Sequence, residues 1–275
     1  MKSVLKYPGS KWRIADWIVS NMPPHDIYVD PFFGSGAVFF SKPESRLEVL
    51  NDIDGNVVNF FKVCRDHPDD LARLLALTPY AREEYDFVKE PVAMELYNLT
   101  GDNLEDARRF AVRCWQGTGN RIGRRTEWKY DIAGGKISNS AHHWCRLPER
   151  VAPIAKRLRR AQIENCDAIT IIKQYNTSDT LIYADPPYLG ETRRGGLYRY
   201  EMDTTFEHEK LLSALSSHPG SVMLSGYDNN LYNDLLAQWT KITCTTRCYS
   251  NNARTEVLWL NFEPDPTLWN ACITV

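Results

Sequence analysis

Seven residues, Asp30-Pro31-Phe32-Phe33-Gly34-Ser35-Gly36, narrow the choice of fold more than any other stretch of this chain. They follow Ile27-Tyr28-Val29, an apolar run that reads as a short buried strand. They cannot continue that strand, because the proline removes a backbone donor and the glycines end the apolar run. Ala37-Val38-Phe39-Phe40 then restarts as a helix. Leu47-Glu48-Val49-Leu50 reads as a second strand, ending at Asn51-Asp52-Ile53-Asp54. From Gly55 to Arg65 the apolar Val57, Val58, Phe61 and Cys64 recur at helical spacing. Strand, glycine loop, helix and strand with an acidic end form the opening of a doubly wound α/β sheet.

The same rhythm returns late in the chain. Thr180 to Ala184 reads as a strand, Phe206 to Ser217 as a helix, Val222 to Ser225 as a strand and Leu231 to Gln238 as a helix. Thr240 to Cys248 and Glu256 to Asn261 look like a closing antiparallel pair. Between the two α/β stretches the pattern changes. Asp69 to Gln116 carries helical apolar spacing, as in Leu71, Leu74 and Leu75 or Phe110, Val112 and Trp115. Gly117 to His143 is rich in Gly, Arg and Asn and reads as a long loop. Val151 to Ala161 reads as a helix with Lys156, Arg157, Arg159 and Arg160 on its outer face. The expected architecture is one catalytic α/β domain, residues 1–61 and 153–275, interrupted by a mainly helical insert, residues 62–152.

Charge separates these parts. The net charge is −2, yet Gly101 to Arg160 holds 14 Lys/Arg against 6 Asp/Glu, a local excess of +8. A basic segment on an acidic protein points to a polyanion-binding face. No apolar run is long enough to cross a bilayer, and the start of the chain lacks the apolar core of a signal peptide, so the cytoplasm is the expected location. The seven cysteines include no Cys-x-x-Cys pair. Cys244 and Cys248 share strand spacing without further ligands, so we expect thiols and no metal.

Three segments carry chemistry. At the glycine loop, backbone can approach a ligand closely, and Asp30 can neutralise a cationic amine. Two glycines alone are as readily a plain tight turn. Asp52, at the next strand end, can accept from both hydroxyls of a ribose. It can equally cap a helix, and we assign the ribose to Asp52 and the cap to Asp54. The sharpest signal is Asp185-Pro186-Pro187-Tyr188. Its prolines stiffen the turn while keeping their carbonyls. Asp185 and the Pro186 carbonyl can each accept one hydrogen of an amine, and Tyr188 can stack on an extruded base.

Together with Lys6-Tyr7-Pro8-Gly9-Ser10-Lys11, these loops and their order make the chain resemble the Dam-like, alpha-group adenine-N6 DNA methyltransferases, phage-type members in particular. The resemblance covers most of the chain and is weakest in the insert. It implies a Rossmann-like sheet dependent on S-adenosylmethionine, with the insert as target-recognition domain. It implies that Tyr7, Pro8, Gly9, Ser10 and Lys11 lie beside the cofactor's methionine end. Asp30, Phe32, Gly34, Ser35 and Gly36 would form the main cofactor loop, with Asp52 on the ribose. Asp167, followed by Ala168, would contact the cofactor's adenine amine, although alone it reads as a helix cap. Asp185, Pro186, Pro187 and Tyr188 would form the catalytic loop. The Asn251 to Asn261 region, with Arg254 and Glu256, matches a closing strand region and is given no catalytic role.

The expected partner is double-stranded DNA, with no membrane and no obligate protein partner: a monomer or weak dimer in a prokaryotic cell or phage-infected host. Arg121, Arg124, Arg125, Lys129 and Lys136, set among Trp115, Trp128, Tyr130 and Trp144, are the expected DNA contacts in the insert. Arg193 and Arg194 are expected to join them from a lid spanning Gly190 to Asp203. Three readings compete: cytosine-N4 methylation, methylation of RNA or a protein amide, and a catalytically silent DNA-binding protein.

Overall fold

The computed structural model describes residues 1–88, 100–119, 126–130, 139–190, 197–247 and 253–264. The chain divides into two compact units. The first holds Lys11–Ile53, Ala161–Gly195 and Glu201–Val275, and the second holds Met1–Ser10, Asp54–Arg160 and Gly196–Tyr200.

The first unit is built on seven strands: β1 (Ile27–Asp30), β2 (Leu47–Asn51), β3 (Ala161–Glu164), β4 (Thr180–Ala184), β5 (Ser221–Gly226), β6 (Thr240–Arg247) and β7 (Ala253–Leu260). Their order is β3-β2-β1-β4-β5-β7-β6. Neighbours from β3 to β5 run parallel, and β7 runs antiparallel to both β5 and β6. Strands β1, β4 and β5 are apolar and buried along almost their whole length, as parallel strands covered on both faces must be. Short helices α1 (Ala15–Ser20), α2 (Ala37–Ser41), α9 (Ala168–Gln174), α10 (Thr205–Ser216) and α11 (Asn230–Leu235) belong to this unit. Its core joins Val29, Val49, Ile182 and Leu224 from the sheet to Ile171, Leu211, Leu215 and Tyr232 from the helices.

Strand order reverses at β1 and β4, so the edge where their carboxyl ends meet is the natural ligand crevice of such a sheet. Because β7 is antiparallel, its first residues lie at that same edge, with Gly226 paired to Val257.

The second unit is helical: α3 (Gly55–Asp66), α4 (Pro68–Leu77), α5 (Arg82–Val88), α6 (Asn103–Gln116), α7 (Ser140–Cys145) and α8 (Val151–Leu158). Phe60, Phe61, Leu71, Leu75, Tyr85, Phe110, Trp115 and Trp144 are buried in it. Asp54 and Asp102 cap α3 and α6 by accepting backbone N–H groups. Short pairings of residues 116–118 with 127–129, through Thr118 N–H to Glu127 and Lys129 N–H to Gln116, close a loop at its base.

Several sequence expectations need correction. Ser140 to Cys145 is helix α7, begun by an Asn139 cap inside the span read as loop. The helix from Val151 ends at Leu158, and Ala161 opens β3. Arg157 is buried rather than on that helix's outer face, whereas Lys156, Arg159 and Arg160 are exposed. Helix α1 gives no clear signal in the sequence. Among the described residues no helix is long and apolar enough to cross a membrane.

Candidate active site

The crevice edge gathers acids from successive strands. Alternation along a strand puts residues i and i+2 on one face, so Tyr28 with Asp30, and Tyr183 with Asp185, form two Tyr-x-Asp pairs. The register Val29 to Ile182 sets Asp30 beside Tyr183 one step further on.

Asp30 is buried at 2% exposure. Its Oδ2 accepts from the Tyr28 hydroxyl at 3.1 Å. Its Oδ1 is buried without a hydrogen-bond partner among the described residues. Burial pushes the Asp30 carboxyl well above the ordinary carboxylate range, although the Tyr28 hydrogen bond opposes this and Asp185 and Asp52 reinforce it. A buried acceptor left open at a crevice edge is suited to a cationic donor arriving with a ligand.

The loop after β1 turns through two left-handed glycines, Gly34 at φ 49° and Gly36 at φ 67°. A Cβ on Gly36 would stand 2.5 Å from the Phe33 ring, so both its conformation and its surroundings require glycine. The Gly34 N–H donates to Asp52 Oδ2 at 2.8 Å, which ties the loop to the end of β2. Ser35 and Asp52 are buried, and Phe32 is half-buried against the sheet core. Asp54, not Asp52, caps α3. Asn51 fixes the neighbouring strand end by donating to the Cys166 carbonyl and accepting from the Cys166 N–H, at 3.0 and 2.9 Å. Asp167 is exposed and caps α9 through the N–H groups of Ile169 and Thr170; Ala168 is the first residue of that helix.

Asp185 follows β4 directly. Lys11 Nζ donates to both of its carboxylate oxygens at 2.8 Å. The lysine side chain is 6% exposed and the aspartate 17%. Burial pulls the Lys11 ammonium down, but Asp185 and Glu256 outweigh it and the net direction is up, so the lysine keeps its charge. A carboxylate offers about four lone-pair positions, so the two taken by Lys11 leave two acceptors for another donor. Pro186 is buried and Pro187 half-buried. Tyr188 is buried, with Lys11 Nζ 4.9 Å from its ring centre. Burial, with Asp185 and Glu256 nearby, holds the Tyr188 phenol well above its ordinary range.

Of the N-terminal motif, Lys11 lies in this unit. Tyr7, Pro8, Gly9 and Ser10 lie in the helical one, where the Tyr7 ring is 6.0 Å from that of Tyr198. Gly9, at φ 67°, leaves no room for a Cβ against the Tyr198 hydroxyl.

In the helical unit, Trp115 donates to the Val4 carbonyl and Trp144 to the Thr78 carbonyl, both from buried positions. These two indoles are core, not surface aromatics. Trp128 and Tyr130 stack at 6.2 Å with Arg82 over both rings, and Lys129 lies between them in sequence. Arg121, Arg124, Arg125, Lys136, Arg193 and Arg194 lie outside the described residues, as do residues 191–196 of the expected lid. Sequence reasoning missed Tyr28, Tyr183, Arg82 and Glu256. The Tyr-x-Asp spacing on adjacent strands was the available signal for the two tyrosines; no local pattern marks Arg82.

The profile of the D12 class N6 adenine-specific DNA methyltransferases matches residues 7–251. A Type II methyltransferase, M.MjaIII, of Methanocaldococcus jannaschii is 24% identical over 260 residues, covering 85% of each chain. The DNA adenine methylase of Serratia marcescens is 24% identical over 244 residues, covering 85% of this chain and 86% of that protein. The DNA N-6-adenine-methyltransferase of Escherichia phage P1 is 25% identical over 221 residues, covering 78% of this chain and 28% of that one.

Proposed function

The chain belongs to the D12 class N6 adenine-specific DNA methyltransferase family, and on that premise we propose that the loop opened by Asp185 is where an adenine, lifted out of double-stranded DNA, is methylated at N6. The observation that carries this reading is the pair of carboxylates at one sheet edge, Asp185 gripped through both oxygens by Lys11 and Asp30 with an open buried acceptor. S-adenosylmethionine, when bound, supplies an activated methyl group on a sulfonium.

The residues divide the work. Asp30 takes the cofactor's cationic amine on Oδ1, which suits the unsatisfied acceptor there. Phe32, Gly34, Ser35 and Gly36 give the close backbone approach, Asp52 accepts from the ribose, and Asp167 with Ala168 meets the adenine end. Asp185 and the Pro186 carbonyl each accept one hydrogen of the target amine. That draws the N6 lone pair out of the ring and toward the methyl, a gain realised mainly in the transition state. Pro187 stiffens the turn, and Tyr188 stacks on the extruded base. Lys11 keeps Asp185 aimed by donating to both of its oxygens.

Residues 62–152 act as the target-recognition insert on a catalytic domain of residues 1–61 and 153–275. Lys129, with Arg121, Arg124, Arg125 and Lys136, meets DNA, joined by Arg193 and Arg194. The Trp128–Tyr130 stack under Arg82 supplies a planar surface for a base. The protein works as a monomer or weak dimer in the cytoplasm of a prokaryotic or phage-infected cell.

The test is transfer of labelled methyl from S-adenosylmethionine to unmethylated plasmid DNA, followed by nucleoside analysis. N6-methyladenine is expected, and Asp185→Ala should abolish it by orders of magnitude. N4-methylcytosine as the product, or full activity in Asp185→Ala, would overturn the reading.

A further inference from the structure

Tyr188 is fixed from several directions, and the firmest hold comes from a distant part of the chain. Its hydroxyl donates to Glu256 Oε2 at 2.7 Å and lies 3.4 Å from Ser225 Oγ. Its ring meets Tyr227 edge-on, with centres 4.6 Å apart at 72°. Glu256 is half-buried on β7, and Val257 to Leu260 behind it are fully buried. The Gly226 to Val257 register sets Glu256 next to Tyr227, at the crevice edge where β5 ends. Its carboxylate is therefore carried by a strand rather than by a loop.

We propose that Glu256 is a positioning residue for methyl transfer: by accepting the Tyr188 hydroxyl hydrogen bond it fixes where the ring stands on which the extruded adenine stacks. The inference rests on the reading of Asp185 to Tyr188 as the catalytic loop. A tyrosine on a turn has two side-chain torsions: a hydrogen bond at the far end of the ring restrains the first, and the edge-on Tyr227 ring restrains the second. A charge-assisted hydrogen bond is stronger and more directional than a neutral one. Ser225, at 3.4 Å, is too distant to replace it. Glu256 also contributes to the upward shift of the Lys11 ammonium that grips Asp185.

The experiment measures single-turnover methyl transfer to unmethylated plasmid DNA, with S-adenosylmethionine affinity and thermal unfolding followed in parallel. Glu256→Ala should lower the transfer rate about 10–100-fold, the scale of a small misplacement in the site, with cofactor affinity little changed. Glu256→Gln keeps an acceptor and should restore most of the loss. Tyr188→Phe should fall as Glu256→Ala does, and the double variant no further than the worse single one, because both remove one interaction. Losses that multiply in the double variant would overturn the inference. So would a full rate in Tyr188→Phe, a conservative change that keeps the question open to test if Glu256→Ala fails to fold. Asp185→Ala separates the two levels. A dead Asp185→Ala beside fully active Glu256→Ala and Tyr188→Phe removes only the role of Glu256, whereas an active Asp185→Ala removes the site itself.

Discussion

Two carboxylates at one edge are held in opposite ways. Asp185 has a buried ammonium on both oxygens, while Asp30 is buried with one oxygen open and its proton affinity raised by burial. A raised carboxyl is neutral below its pKa and attracts an ammonium only once deprotonated. S-adenosylmethionine affinity should therefore strengthen as pH rises from the ordinary carboxylate range toward the α-amino range of about 7.7–8.0, where the ligand amine loses its charge. Calorimetry in buffers of different ionisation enthalpy should register proton release on binding within that window. Asp30→Asn should bind weakly with a flat profile; an unchanged profile would place the amine elsewhere. At the second carboxylate, replacing Lys11 by Met should cost about 1.5–3 kcal/mol of stability per charged hydrogen bond removed, read by denaturant unfolding. It should also lower transfer, because Lys11 holds both oxygens of Asp185. Asp52 and Asp167 show why residue roles are harder to read than motifs. The sequence assigned the helix cap correctly to Asp54, yet Asp52 also ties down Gly34, and Asp167 caps α9. A ligand contact and a cap require the same carboxylate at the same strand end, so spacing alone does not separate them.

At the level of elements, the loop between β1 and α2 is the part least tolerant of change. Gly36→Ala would force a left-handed residue and press a Cβ into the Phe33 and Phe40 rings. The backbone part alone costs about 1–2 kcal/mol. At roughly 2–4 °C per kcal/mol, the melting temperature should drop by several degrees, and cofactor affinity should fall with it. An unshifted melt would mean the loop adopts another path. This loop was legible because its chemistry is local: strand, glycines and helix follow one another within fifteen residues. The strands β1, β2, β4 and β5 were legible for the same reason, being short apolar runs between turn signals. Helix α7 was not, since six residues of Ser, Ala, His, Trp and Cys carry too few turns to show a period. Arg157 misled because a long side chain on a buried face looks basic in sequence whichever way it points. Trp115 and Trp144 misled similarly, since each indole finds a backbone carbonyl inside the core and so needs no water. Glu256 was legible as part of a closing strand, but its tie to Tyr188 was not, because the two are 68 positions apart and only the sheet order brings them together.

The whole molecule partitions its charge. A chain with a net charge of −2 concentrates a local +8 between Gly101 and Arg160, a stretch that falls wholly within the helical unit. The acidic strand ends lie in the other unit, where Asp30, Asp52, Asp167 and Asp185 are gathered. Opposite signs are what the two ligands require, a cationic cofactor and a polyanionic substrate. If that partition is functional, the two affinities should respond separately to mutation and to salt. DNA affinity should fall steeply with salt through counterion release, and the slope of log affinity against log salt should shrink by about 0.9 for each phosphate contact removed. Replacing Arg121, Arg124, Arg125, Lys129 and Lys136 together should therefore flatten the slope by several units if each meets a phosphate. Cofactor affinity, measured on the same variants by calorimetry, should be little changed, because none of the replaced residues is assigned to the cofactor. Replacing Arg82 by Ala should behave differently, lowering DNA affinity with a slope change near one at most, since its guanidinium already covers the Trp128 and Tyr130 rings. A slope unaltered in the multiple variant would move the DNA off this segment, and a matching loss of cofactor affinity would mean that charge there supports the fold rather than the substrate.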